Sequence, residues 1–323
     1  MQALNAYQQT YALKGAIELD LFTQIATGAT TPAALAERIH ASERGIRILC
    51  DYLVIMGFLT KAGGTYGLTS ESARFLDSRS PAYLGAGARF LAHDDITARF
   101  RDVAGLVRRG GAPEEGTTRA NDPIWVEFAR SMGPMVAMQA QVLAALVTRS
   151  GVPVKVLDVA AGHGLFGVCI ATHNPAASVV AVDWPDVLTV ARENAERAGV
   201  ADRYTTIPGS AFDVDLGKGY GLVLLPNFLH HFDEPTNVRL LTRVRDAMTR
   251  DGVVATVEFV PDDDRVTPPV AAAFAMTMLG STPAGDAFTF RELDRMYREA
   301  GFGESRVQPL GPTPQQLVLT NVA

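Results

Sequence analysis

The chain has 323 residues, 35 acidic against 29 basic side chains and a formal net charge of −6, so no global attraction to nucleic acid or an anionic membrane is expected. That length allows one large or two ordinary domains, and two cysteines (Cys50 and Cys169, both in helical apolar patterns) exclude a disulfide framework. The opening Met1-Gln2-Ala3-Leu4-Asn5 lacks the basic start and apolar core of a signal peptide, and no apolar run reaches the about 18 residues of a bilayer span, which suits a cytoplasmic globular protein.

Thr31 followed by Pro32 predicts a capped helix running to about His40. A second helix is expected over residues 43–56, with Ile46, Leu49, Leu53 and Met56 on one stripe. Residues 57–61 and 65–69 then read as a hairpin about Ala62-Gly63-Gly64. Helix, helix, hairpin is a winged-helix arrangement, assigned to residues 1–105. Its second helix offers only Arg44 and Arg47 among Ile46, Ile48, Leu49, Tyr52, Leu53, Val54 and Ile55. A helix that reads a DNA groove needs a basic outer face, whereas this one is apolar nearly all round. With the apolar residues 13–25 beside it, it predicts a homodimer through this domain.

Residues 108–116, rich in Gly, Pro and charge, mark a break. Residues 106–150 are therefore read as a linker and connecting helices, the latter over residues 121–147 with Trp125, Phe128, Met132, Met135 and Met138. From there to residue 323 apolar strands alternate with helical stretches. The strands fall at about residues 154–160, 178–182, 204–207, 222–225, 253–259, 305–309 and 316–319. A capping box at Thr289-Phe290-Arg291-Glu292 opens a last helix that ends at Gly301. The expected fold class is α/β: a doubly wound Rossmann-like sheet behind a mostly helical N-terminal domain.

The strand Val156-Leu157-Asp158-Val159 runs into Ala160-Ala161-Gly162-His163-Gly164 and a helix over residues 165–173. Such a unit turns backbone N–H groups and a helix N-terminus toward a ligand at the strand end. Asp183 closes the next apolar run 19 residues after Gly164, where a doubly wound sheet places the acid that grips a ribose. Gly162 to Gly167 also spells G-x-G-x-x-G, which motivates a nicotinamide-dependent oxidoreductase. A carboxylate at Asp158 would repel a pyrophosphate but favours the ammonium and sulfonium of S-adenosylmethionine. A regulator that senses this cofactor through the winged helix is a further alternative.

Past the fourth strand of the alternating region come Pro226-Asn227-Phe228-Leu229-His230-His231. Imidazole at a strand end suits proton transfer. No metal site is expected, because adjacent histidines diverge and further ligands lack suitable spacing. Glu258, at the end of the fifth strand, is placed to accept a hydrogen bond from an imidazole Nδ1–H. The methionines at 132, 135, 138, 276 and 278 read as core filler or pocket lining.

The order of these motifs, with Pro208-Gly209-Ser210-Ala211-Phe212 between them, resembles the S-adenosylmethionine-dependent O-methyltransferases that carry an N-terminal winged-helix dimerisation domain. That class includes caffeic-acid and polyketide-tailoring enzymes, and the resemblance covers essentially the whole chain. It implies S-adenosyl-L-methionine as cofactor and an oxygen of a small aromatic or polyketide-like molecule as methyl acceptor, with C- or N-methylation on the same scaffold as the alternative. It implies cofactor contacts from Asp158, Gly162, Gly164, Asp183, Trp184, Ser210, Ala211, Phe212 and Asn227. His230 falls on the catalytic base, Glu258 on a supporting acid, and Phe128, Met132 and Met278 on acceptor-pocket positions. The chain departs from the pattern at Ala160 and Ala161 (often glycines), Ser210 and His231 (often acids) and Ala287, where a second supporting acid is usual.

Overall fold

Local rules account for the first elements of the computed structural model, which describes residues 3–113, 119, 121–311 and 313–323. Helices α1 (Ala6–Glu18) and α2 (Leu21–Ala26) precede α3 (Pro32–Ile39), whose first turn is capped by Thr31 Oγ1 accepting the Ala34 N–H at 3.2 Å. Ser42 caps α4 (Glu43–Ile55) in the same way. Strands β1 (Leu59–Ala62) and β2 (Thr65–Leu68) pair antiparallel about Gly63 and Gly64, whose φ values of 55° and 83° match the twist of a tight hairpin. The short helices α5 (Ser70–Phe75), α6 (Ala88–Leu91) and α7 (Asp94–Ala98) follow. Helix α4 buries Ile46, Cys50 and Leu53 against Leu21, Phe22 and Leu35, while Ile48 and Ile55 on its other side stay 44% and 80% exposed. The helix is two-sided as its composition implies, and within the chain only one side is covered.

Packing divides the chain at Thr97, and Ala98–Ala323 form the second unit. Helix α8 (Val103–Arg109) stops at Gly110, whose φ of 83° is left-handed. Of the expected linker segment, residues 114–118 and 120 lie outside the described residues. The connecting segment forms α9 (Ile124–Ser131) and α10 (Gly133–Val147). Then come β3 (Val154–Val159), α11 (Leu165–His173), β4 (Ala177–Asp183), α12 (Pro185–Arg197), β5 (Tyr204–Pro208), β6 (Tyr220–Pro226), α13 (Glu234–Ala247) and β7 (Met248–Glu258). Helices α14 (Pro269–Ser281) and α15 (Phe290–Glu299) and strands β8 (Phe302–Pro309) and β9 (Gln316–Val322) complete the unit. The expected capping box is present: Thr289 Oγ1 accepts the Glu292 N–H and Glu292 Oε2 accepts the Thr289 N–H.

The seven strands form one sheet in the order β5-β4-β3-β6-β7-β9-β8, parallel except for β9, which runs antiparallel to both neighbours. Period-2 alternation splits the core between the two faces. Val156, Leu222, Leu224 and Ala255 pack under α10 and α11, whereas Leu157, Val159, Val223, Leu225 and Val254 pack under α13 and α15. No described helix is long and apolar enough to cross a membrane.

Candidate active site

β3 and β6 are neighbours, yet the chain leaves β3 toward β4 and leaves β6 toward β7. At such a switch the flanking connections part, and a crevice opens outside the carboxyl ends of the strands. Asp158 lies near the end of β3, Asp183 closes β4, Ser210, Ala211 and Phe212 follow β5, Asn227 and His230 follow β6, and Glu258 closes β7. The sheet thus brings these sequence-distant candidates to one edge.

Gly162 and Gly164 have φ values of 57° and 72°, in the left-handed region, and Ala160 shares it at 52°. A Cβ on Gly164 would stand 2.6 Å from Tyr204 Oη and 2.8 Å from Ala191 Cβ, so the loop seats itself on β5 and α12 only with glycine there. Asp183 clasps the loop to α12: Oδ2 accepts the Gly162 N–H at 2.8 Å and Oδ1 the Trp184 N–H at 2.7 Å. Asp158 is fully buried; Oδ2 accepts the Gly167 N–H at 3.0 Å, and Oδ1 has no hydrogen-bond partner among the described residues. Burial pushes Asp158 up to about 8, only partly opposed by the Gly167 N–H, and burial pushes Asp183 up to about 6.

Trp184 packs with Ala129, Val187 and Val190, which joins α9 to α12, and Arg130 reinforces that joint with two bonds to Glu193 at 3.1 and 3.2 Å. Ser210 Oγ accepts the Phe212 N–H, Ala211 is buried, and Phe212 lies edge-on to Phe232 at 5.0 Å. Asn227 turns the chain out of β6 with a φ of 56° while its N–H still donates to Val257 O at 2.8 Å.

His230 is 5% exposed and Glu258 3%. Glu258 Oε2 lies 2.6 Å from His230 Nδ1, and Oε1 accepts the His230 backbone N–H at 3.3 Å. A carboxylate only accepts, so Nδ1 carries the proton, which in the neutral ring leaves the lone pair on Nε2. Phe274 of α14 stands edge-on to the ring at 4.8 Å and stacks on Phe259 at 4.1 Å. The expected divergence of the two histidines is not found: their ring centroids are 4.4 Å apart. His231 is held there by Trp125 at 5.4 Å and Phe228 at 6.5 Å, and burial, with His230 beside it, holds its imidazole well below the ordinary range. Ala287 is buried and offers no acid, and the adjacent Asp286 is turned to Arg265 Nη1 at 3.0 Å.

Phe128 lies over the glycine loop, stacked on His163 at 6.0 Å and 3.5 Å from where a Gly162 Cβ would be. Met278 is buried one helical turn beyond Phe274, and Met132 joins α9 to α10. Phe274, His163, Tyr204, Gln139 and Gln315 went unmarked in the sequence. The four-residue spacing of Phe274 from Met278 is a signal that points to one of them, whereas Gln139 shares its apolar helix with a second amide, Gln141, and is not singled out by pattern. Among the described residues no group of three or more His, Cys, Asp or Glu side chains is arranged to hold a metal ion.

Residues 111–303 match the O-methyltransferase domain, and residues 1–78 match the O-methyltransferase dimerisation domain. Over 304 residues the chain is 30% identical to 3-hydroxy-5-methyl-1-naphthoate 3-O-methyltransferase of Streptomyces sahachiroi, covering 92% of this chain and 87% of that one. It is 27% identical to the tetracenomycin polyketide synthesis 8-O-methyl transferase of Streptomyces glaucescens, covering 95% and 91%. A crystal structure of a candidate O-methyltransferase from Nostoc punctiforme superposes with a TM-score of 0.95 at 49% identity, covering 99% of this chain and 97% of that one.

Fold and crevice together define an S-adenosylmethionine-dependent methyltransferase. The chain belongs to the O-methyltransferase family, and its cofactor is S-adenosyl-L-methionine. The residues present fit that group: the fully buried Asp158 carboxyl, with one unpartnered oxygen, and the half-buried Asp183 carboxyl are shifted by desolvation, a state that a positively charged nucleoside relieves. The match of residues 111–303 to the O-methyltransferase domain overturns the nicotinamide alternative drawn from G-x-G-x-x-G.

Proposed function

We propose that the chain methylates a hydroxyl of a small aromatic, polyketide-like acceptor, with His230 as general base and Glu258 as its supporting acid. The observation that carries this reading is the buried 2.6 Å bond between His230 Nδ1 and Glu258 Oε2. It fixes the tautomer with Nε2 as the proton acceptor and stabilises the positive charge that proton transfer creates on the ring. Transfer from a phenol to an imidazole, each as in water, is uphill by about 5 kcal/mol, so a carboxylate behind the ring matters most for a hydroxyl acceptor. Bound S-adenosylmethionine supplies an electrophilic methyl group. Gly162 and Gly164, with Asp158 behind them, Asp183, Trp184, Ser210, Ala211, Phe212 and Asn227 would hold it. Phe128, Met132, Met278 and Phe274 supply apolar and aromatic surface suited to a flat acceptor. The Streptomyces sahachiroi relative, named for a hydroxynaphthoate, supports an acceptor of this size.

The test is transfer of a labelled methyl group from S-adenosylmethionine to a panel of hydroxynaphthoates, naphthols and monocyclic phenols. The expected result is one label per acceptor, on oxygen, with bicyclic compounds preferred. Label on carbon, or none on any hydroxyarene while S-adenosylhomocysteine still binds, would overturn the assignment.

The same reading includes a homodimer through the N-terminal unit, where Leu4, Tyr7, Ile48 and Ile55 are exposed at 76%, 58%, 44% and 80% within the single chain. Sedimentation at micromolar concentration is expected to show a dimer, and Ile48→Glu combined with Ile55→Glu to shift it toward monomer. A wild-type monomer, or a double variant that dimerises as before, removes this surface from the interface.

A further inference from the structure

Behind the crevice three side-chain amides run in series. Gln139, in the middle of α10 and 2% exposed, donates its Nε2–H to Gln315 Oε1. Gln315, 8% exposed, donates its own Nε2–H to Asn227 Oδ1. The partners of these two bonds lie 176 and 88 residues apart in sequence. An amide has one accepting end and one donating end, so the direction of the series decides which end of Asn227 is engaged behind the site. With Oδ1 taken by Gln315, the Asn227 N–H2 is turned the other way. The backbone of Asn227 is pinned as well, at a φ of 56° with its N–H on Val257 O. Gln315 precedes Gln316, the register partner of Glu258. The lead into β9 therefore braces Asn227, while β7 braces His230 three residues further on.

We propose that Gln139 and Gln315 are positioning residues that hold the Asn227 side-chain N–H2 toward the crevice, as a donor to a carbonyl or carboxylate oxygen of a bound molecule. The proposal rests on the crevice beside His230 being the active site. That oxygen has two sources, the amino-acid carboxylate of the cofactor or a second oxygen on the methyl acceptor. Unbraced, an asparagine amide offers either end; in this series Gln315 engages Oδ1 and leaves the N–H2 for the crevice.

Gln315→Glu tests the direction. A carboxylate at 315 still accepts from Gln139 but has nothing to donate, so Asn227 must turn its N–H2 inward and present Oδ1 to the crevice. Asn227→Asp makes the same reversal directly, and Gln315→Met removes both bonds at similar volume without reversing anything. The readouts are the Kd of S-adenosylhomocysteine by calorimetry, and kcat and KM for 3-hydroxy-2-naphthoate against 2-naphthol with labelled cofactor, on variants whose melting shows them folded. Gln315→Glu and Asn227→Asp are each expected to weaken one of these ligands by about tenfold to a hundredfold, and Gln315→Met by less than about threefold. Loss confined to S-adenosylhomocysteine assigns the oxygen to the cofactor. A raised KM for the hydroxynaphthoate alone, with 2-naphthol and S-adenosylhomocysteine unchanged, assigns it to the acceptor. Equal behaviour of the Glu and Met variants, or no change beyond about twofold in any readout for Gln315→Glu, overturns the proposal. Failure of the proposed activity looks different: a wild-type chain that binds S-adenosylhomocysteine and methylates neither probe, in which case the calorimetric comparison alone decides.

Discussion

Replacing His230 with alanine is expected to lower the turnover of a hydroxyl acceptor by ~10²–10⁴-fold while the Kd of S-adenosylhomocysteine stays near that of the wild type. The ring places one nitrogen against a carboxylate and leaves the other as the basic nitrogen of the proposed mechanism. His230→Asn separates chemistry from packing, because its amide still donates to Glu258 and carries no basic nitrogen. It should lose as much rate as alanine while melting closer to the wild type. His231→Ala should lose much less. That imidazole is packed against Trp125 and Phe228, and burial disfavours its protonated form. Full turnover in both His230 variants would mean that proximity alone drives transfer, to an oxygen already ionised or to a nucleophile that needs no base.

Gly285→Ala should reduce kcat about a hundredfold although residue 285 carries no functional group. Thr282 to Gly285 form a turn after α14, with the Gly285 N–H donating to Thr282 Oγ1 at 2.8 Å and Thr282 O accepting the Ala112 N–H at 2.8 Å. A Cβ at 285 would stand 2.2 Å from His230 O and 2.9 Å from His231 C. These are main-chain atoms, which do not swing aside as a flexible side chain does. Either the turn lifts, taking Met278 and Phe274 with α14, or the His230 loop moves, and both displace the base from the acceptor. Destabilisation of about 1–3 kcal/mol is expected alongside, of the size seen when extra atoms are forced into a packed site. Steady-state kinetics with S-adenosylhomocysteine calorimetry check this: kcat should collapse while Kd holds, since Gly162 and Asp183 lie elsewhere on the edge. An unchanged kcat would show that the contact yields without moving His230.

Much of the architecture was legible because its causes are local. Thr31-Pro32, the capping box at Thr289 and the Gly63-Gly64 turn each act within a few residues, and each appears where the sequence placed it. Runs such as Val156-Leu157 and Leu222-Val223-Leu224-Leu225 are apolar on both faces because both faces of a parallel strand are covered. Asp158, Asp183 and Glu258 stood out as acids near or at the ends of such runs, and the alternation of strands with helices was enough to send all three to one edge. Composition, hydrophobic period and punctuation thus determined the fold class and the neighbourhood of the site.

Which side chains meet within that neighbourhood depended on contacts between segments far apart in the chain. Adjacent histidines ought to diverge, but Trp125 from α9 and Phe228 form a wall that keeps His231 beside His230. Phe128 stacks on His163 over the glycine loop because the pairing of Arg130 with Glu193 and the packing of Ala129 lay α9 across α12. Nothing in the periodicity of α10 connects Gln139 to Gln315 or to Asn227; sheet order and helix placement bring the three amides together, and only then does an uncharged residue at a strand end acquire a direction. A single sequence displays short-range preferences directly, whereas the partner of a buried polar group is chosen by the packing of distant elements. Tertiary structure alone therefore decided the orientation of His231, Phe128 and Asn227.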